Sequence, residues 1–125
     1  MIGKNKVILA LGSNCEPKAN IQKAQTMLEL LFPGITFTRV VVTDPVGDIP
    51  RDEKFHNCLG TFWTAHGLSQ VKRAVKQLEH RLGKGKGMLK KGIVKIDLDI
   101  LSYNDTKCHG DDWGRSYIQE LMKEI

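Results

Sequence analysis

Asp97 and Asp99, in the run Ile96-Asp97-Leu98-Asp99-Ile100, are the pair of residues best placed by type and spacing to do chemistry. In an extended strand, residues two apart share a face, with Cα atoms ~6.5–7 Å apart. Ile96, Leu98 and Ile100 then fill one face, while Lys95, Asp97 and Asp99 share the other. Two carboxylates held side by side repel and raise each other's pKa. A divalent cation removes that penalty, and hard oxygen ligands suit Mg²⁺ bridging a polyphosphate. Spacing alone is equally compatible with a solvated strand face on which Lys95 is the counter-charge.

The segment before this strand adds cations. Gly83–Gly92 (GKGKGMLKKG) carries Lys84, Lys86, Lys90 and Lys91 among four glycines. Glycine frees the backbone, and ammonium groups neutralise phosphate as point charges. Such a loop suits closure over phosphates, although taken alone it reads more readily as a solvated linker. No G-x-x-x-x-G-K-[ST] and no G-x-G-x-x-G occurs. His56, His66, His80 and His109 lack the spacing of a zinc site. Phe62 and Trp63 read as packing residues. Phe55-His56-Asn57 sets an aromatic two residues before an amide, a combination able to stack on a flat heterocycle and bond its edge.

The elements that must position these residues follow from periodicity. Lys6–Leu11 (KVILAL) reads as a buried strand closed by Gly12-Ser13-Asn14. Apolar positions at Ile21, Ala24, Met27, Leu28 and Leu31 give a helix from Pro17 to Leu31, stopped by Pro33-Gly34. Ile35–Thr43 and Phe55–Ala65 read as strands joined by a proline-containing loop, with Gly60 a candidate bulge. Leu68, Val71, Val75, Leu78 and Leu82 form the stripe of a second helix, with Ser69 as its expected N-cap and Gly83 ending it. Ile93–Leu101 reads as a strand. After a polar loop, about Arg115 to Glu124 reads as a closing helix. The order β-α-β-β-α-β predicts an α+β, ferredoxin-like sandwich with an antiparallel sheet, plus that C-terminal helix.

Composition bounds the rest. The chain has 125 residues, which predicts one domain over residues 1–125. Its longest apolar runs, such as Val7–Leu11, are far short of the ~20 residues of a membrane span. No secretory leader pattern is present in residues 1–20. Nineteen Lys and Arg against fourteen Asp and Glu give a net charge of +5, which favours anionic partners. Three scattered cysteines, Cys15, Cys58 and Cys108, argue against a disulfide framework and for a reducing, cytoplasmic setting.

Leu11-Gly12-Ser13-Asn14, Thr43-Asp44-Pro45-Val46-Gly47, Phe55-His56-Asn57 and Ile96–Ile100 together resemble the 6-hydroxymethyl-7,8-dihydropterin pyrophosphokinases of folate biosynthesis. The likeness spans nearly the whole chain, with His109 and Arg115-Ser116-Tyr117 as its last matches. It implies the ferredoxin-like fold and transfer of pyrophosphate from ATP to the pterin hydroxymethyl group, with release of AMP. By position, Asp97 and Asp99 would hold two Mg²⁺ ions, and Phe55 and Tyr117 would sandwich the pterin. Thr43, Asn57 and the backbone near Val46 would read its edge. Glu79, the backbone at Ile100, His109 and Arg115 would serve ATP. Lys84, Lys86 and Lys90 stand where the family usually has arginines of a mobile catalytic loop.

The departures imply something as well. Val94 stands where the family normally has an arginine, Lys91 replaces a tryptophan, and the family usually continues beyond Ile125. Lysine lacks the planar fork of arginine. A catalytically impaired member that binds pterin or nucleotide is therefore the alternative expectation. An RNA-binding ferredoxin-like domain is a remote one: the first strand has no aromatic, no RNP1-like pattern occurs, and two exposed aspartates would repel phosphate. The partners expected are thus small molecules, with no nucleic acid and no membrane.

Overall fold

The computed structural model describes residues 4–44, 54–83 and 92–125. The first strand, β1 (Asn5–Ser13), alternates between two buried faces. Val7, Leu9 and Leu11 pack on one side with helices α1 (Pro17–Leu31) and α2 (Leu68–Arg81). Ile8 faces the other side, where Ile118 and Leu121 of a C-terminal helix α3 (Ser116–Met122) cover it. Because both faces are sealed, β1 is the middle of the molecule.

Strands β2 (Thr36–Phe37), β3 (Val41–Thr43), β4 (Phe55–Thr64), β5 (Asp97–Tyr103) and β6 (Thr106–Lys107) complete the sheet. Its order is β2-β4-β1-β5-β6, with β3 also on β4, and every pairing is antiparallel. With β2 and β3 taken as one interrupted strand, this is the predicted βαββαβ, ferredoxin-like α+β arrangement, with α3 added on the open face.

Several local expectations change. The run Ile35–Thr43 is not continuous: the Thr38 hydroxyl accepts the Leu59 N–H at 2.9 Å, and the Arg39 N–H donates to Glu124 of the C-terminal segment at 3.1 Å. Side chains thus take over where ladder bonds would have run. Gly60 is not a bulge but pairs in register with Leu9 and Phe37. Its missing Cβ makes room for the Phe37 ring, which would lie 3.0 Å from one. The irregularity lies in β5, which carries one extra residue opposite Ile8 and Leu9. Phe62 stacks on Phe32 with centroids 4.1 Å apart. Trp63, expected to pack, is half exposed. The cap of α2 is Gly67, not Ser69, because the Gln70 side chain reaches back to the Gly67 N–H at 3.0 Å. A 3-10 turn, Gly110–Gly114, occupies part of the expected polar loop.

The strand expected from Ile93 begins only at Asp97. Residues 92–94 are claimed instead by the end of β1. Asn14, buried, donates to the Gly92 carbonyl at 2.7 Å and accepts the Val94 N–H at 2.6 Å. Its own N–H donates to the Val94 carbonyl at 2.9 Å, an oxygen that the Ser13 hydroxyl also reaches. This latch fixes the chain just before the carboxylates. Asn14→Ala leaves two backbone groups unpartnered, so a loss of about 2–3 kcal/mol is expected in urea unfolding. Asn14→Asp keeps the acceptor but sets a buried carboxylate oxygen against the Gly92 carbonyl, so it should lose at least as much.

Candidate active site

The carboxylates sit where three strands meet. Gly12 of β1 is paired with Asn57 of β4 on one side and with Asp97 of β5 on the other, and Ala10 is paired with Asp99. Asn57, Gly12 and Asp97 therefore form a row across the sheet, about 10 Å from end to end at ordinary strand spacing. Small residues make the floor of this row. A Cβ on Gly12 would lie 3.2 Å from the Asn57 side-chain oxygen.

Over the floor opens a cavity of about 290 Å³. Thr43, Phe55, Asn57, Asp97, Asp99 and Tyr117 line it, with Asp112 and Arg115 at the helical side. Phe55 comes from the sheet and Tyr117 from α3, so one cavity holds two aromatic rings from opposite layers. The Asn57 amide donates to the Thr43 hydroxyl at 2.8 Å, which orients both groups. Burial pushes the Tyr117 phenol upward, against the lowering influence of Arg115 beside it. Arg115, expected at a nucleotide site, lines this same cavity and pairs with Asp112 at 3.1 Å.

A second, smaller cavity of about 90 Å³ lies on the far side of Asp99. Leu68, Val75 and Ile100 give it an apolar wall, and Lys72, Lys76 and His109 supply the polar groups. His109 Nε2 is 3.7 Å from Asp99 Oδ1. Glu79 lines neither cavity. It is buried beneath the carboxylates and accepts the Leu98 N–H at 2.6 Å. Val46, Lys84, Lys86 and Lys90 lie outside the described residues.

Sequence reasoning missed Lys76. Its ammonium, not that of Lys95, is the counter-charge of Asp99, 3.1 Å from its Oδ1. Lys95 instead runs along Gly83. The only signal was the i,i+3 relation of Lys76 to Glu79 on α2, because the approach to Asp99 crosses 23 residues of chain. Asp112 was also missed; no spacing ties it to the strand.

Glu79, Asp97 and Asp99 can each offer an oxygen, all within 4.8 Å of one another. An all-carboxylate set of this kind fits Mg²⁺ better than a soft metal. Asp99, His109 and Asp112 form a second such group. Cys58 is a core thiol, pushed up to about 11 by burial.

The site thus combines a ferredoxin-like α+β scaffold with a carboxylate pair between two cavities, the frame of a small-molecule-binding domain. Residues 8–125 match the model of the 7,8-dihydro-6-hydroxymethylpterin-pyrophosphokinase family. The chain belongs to this family of folate-biosynthesis pyrophosphokinases. No curated protein matches the chain significantly. Among solved structures it is similar to the C-terminal domain of the MgtC protein from Mycobacterium tuberculosis. That likeness has 12% identity and a TM-score of 0.41 over 78% of this chain and 88% of the other, too slight to bear on function.

Burial, and then the adjacent Asp97, raise the Asp99 pKa, and Lys76 offsets them only in part. A carboxyl raised in the folded state costs stability as pH rises from its unfolded value, ~3.9, through the folded one. Asp99→Asn should therefore melt higher than the parent at neutral pH without added metal. The gain should vanish as the pH falls below about 4, where both states are protonated, as thermal melts across pH would show.

Proposed function

We propose that this chain transfers pyrophosphate from ATP to the hydroxymethyl group of 6-hydroxymethyl-7,8-dihydropterin, releasing AMP. The observation that carries this reading is the position of Asp99, which lines the aromatic cavity and touches Lys76 and His109 of the apolar one. The pterin ring lies between Phe55 and Tyr117. Asn57 and Thr43, with the backbone near Val46, read its hydrogen-bonding edge. The adenine takes the cavity walled by Ile100, with His109 beside it and Arg115 toward the phosphates. Glu79 supports this arrangement from below by holding the backbone of β5. Residues 1–125 act as one catalytic domain.

The hydroxyl oxygen attacks the β-phosphorus in line, the bond from that phosphorus to the α-phosphate oxygen breaks, and AMP leaves. Asp97 and Asp99 would hold Mg²⁺, two ions in this reading, which supplies charge neutralisation and a lower pKa for the attacking hydroxyl. Phe55, Tyr117 and Asn57 orient the acceptor, so that its hydroxymethyl group points toward the carboxylates. Lys84, Lys86 and Lys90 add positive charge around the phosphates.

A second reading is favoured by one observation: Val94 lines the aromatic cavity with an apolar side chain. There the chain would bind pterin or nucleotide without efficient turnover. Incubation with Mg·ATP and the dihydropterin, followed by separation of nucleotides, distinguishes the two. Under the first reading AMP accumulates, and Asp97→Asn or Asp99→Asn lowers its rate about 10²-fold or more. Phe55→Ala should raise the pterin KM more than it lowers kcat, through lost stacking. Pterin binding without AMP would favour the second reading, and gain of turnover in Val94→Arg would explain it.

A further inference from the structure

Lys76 is placed to do more than balance charge. Its ammonium donates to the Leu98 carbonyl at 2.7 Å, to Asp99 Oδ1 at 3.1 Å and to Glu79 Oε2 at 3.3 Å. Three acceptors match the three protons of an ammonium. The two carboxylates it touches belong to the set able to hold a divalent ion, Glu79, Asp97 and Asp99. These partners differ in freedom. The Glu79 side chain is 3% exposed and pinned to the backbone of β5, whereas that of Lys76 is 35% exposed and also lines the apolar cavity. The ammonium can therefore leave on its four-carbon stem while Glu79 stays.

We propose that Lys76 is a resident counter-ion that a divalent metal must displace from Asp99, and that it turns toward the apolar cavity when released. The inference rests on the metal site of the proposed function. A unit positive charge at hydrogen-bond distance from a ligand oxygen opposes a second cation there. Lys76 thus keeps metal affinity low until an anion in the neighbouring cavity gives the ammonium another partner. Metal and polyphosphate then favour each other's binding, as linkage requires.

The test is Mn²⁺ binding to the protein alone, read as free Mn²⁺ by electron paramagnetic resonance. Lys76→Gln and Lys76→Met should bind Mn²⁺ about tenfold more tightly than the parent, given the removal of one adjacent charge. Lys76→Arg, which keeps the charge, should stay near the parent, and so should Lys72→Gln, one turn away on the same helix. Asp99→Asn should lose the tightened binding. Unchanged or weaker Mn²⁺ affinity in both neutral variants would overturn the proposal, as would equal tightening in Lys72→Gln. Failure of the parent to form AMP would sink the pyrophosphokinase reading but leave this comparison intact.

Discussion

Burial of Ile96, Leu98 and Ile100 is the constraint on which the site depends. A strand alternates with a period of two, so packing these three into the core beneath α2 commits Asp97 and Asp99 to the opposite face. Slipping the register by one residue would bury both carboxylates and expose the core of the strand. The helices thus hold like charges together that would otherwise separate. Burial first, and the neighbouring Asp97 second, shift the Asp99 carboxyl upward in that arrangement, and Lys76 lessens the shift without cancelling it.

The strand β1 transmits this constraint to the rest of the cleft. One of its faces carries the large residues Val7, Leu9 and Leu11; the other passes from Ile8 to Ala10 and Gly12. Where Ile8 stands, α3 packs onto the sheet. Where the residues become small, the cover lifts and the aromatic cavity opens. Arg39 pairs with Glu120 of α3 and with Glu124 just beyond it, and Tyr117 on the same helix reaches the cavity. Asn14 then binds the end of β1 to the chain entering β5. Two motifs more than eighty residues apart, Leu11–Asn14 and Ile96–Ile100, are in this way neighbours with one task.

Features set by local periodicity were legible from the sequence. Helix α1 runs over the residues its apolar spacing marks, and the alternation at Ile96–Ile100 assigns both faces of β5 correctly. Thr43, Phe55, Asn57, Asp97, Asp99 and Tyr117 line one cavity, and Arg115, expected with the nucleotide, lines it too. Features set by side-chain bonds between distant segments were not legible. Thr38 and Arg39 interrupt a β-branched run, Asn14 withholds residues 92–94 from β5, and Gln70 moves the helix cap from Ser69 to Gly67. Lys76 is the clearest case, since its type and its position on an amphipathic helix describe any solvated lysine.

The net charge gains a different meaning in this setting. The chain as a whole is positive by five, yet Asp44, Asp97, Asp99 and Asp112 line the aromatic cavity against a single lining cation among the described residues, Arg115. In the proposed reaction, a polyanion drawn to the molecule by its total charge would meet local repulsion at these carboxylates. Only positive charge brought to the carboxylates can reverse that sign. Metal held by Asp97 and Asp99 would do so. Lys76 already places one such charge 3.1 Å from Asp99 Oδ1, the oxygen that a metal would need. On the proposed reading, an acidic cleft in a basic protein would favour a polyphosphate that arrives with its cation over one that arrives bare.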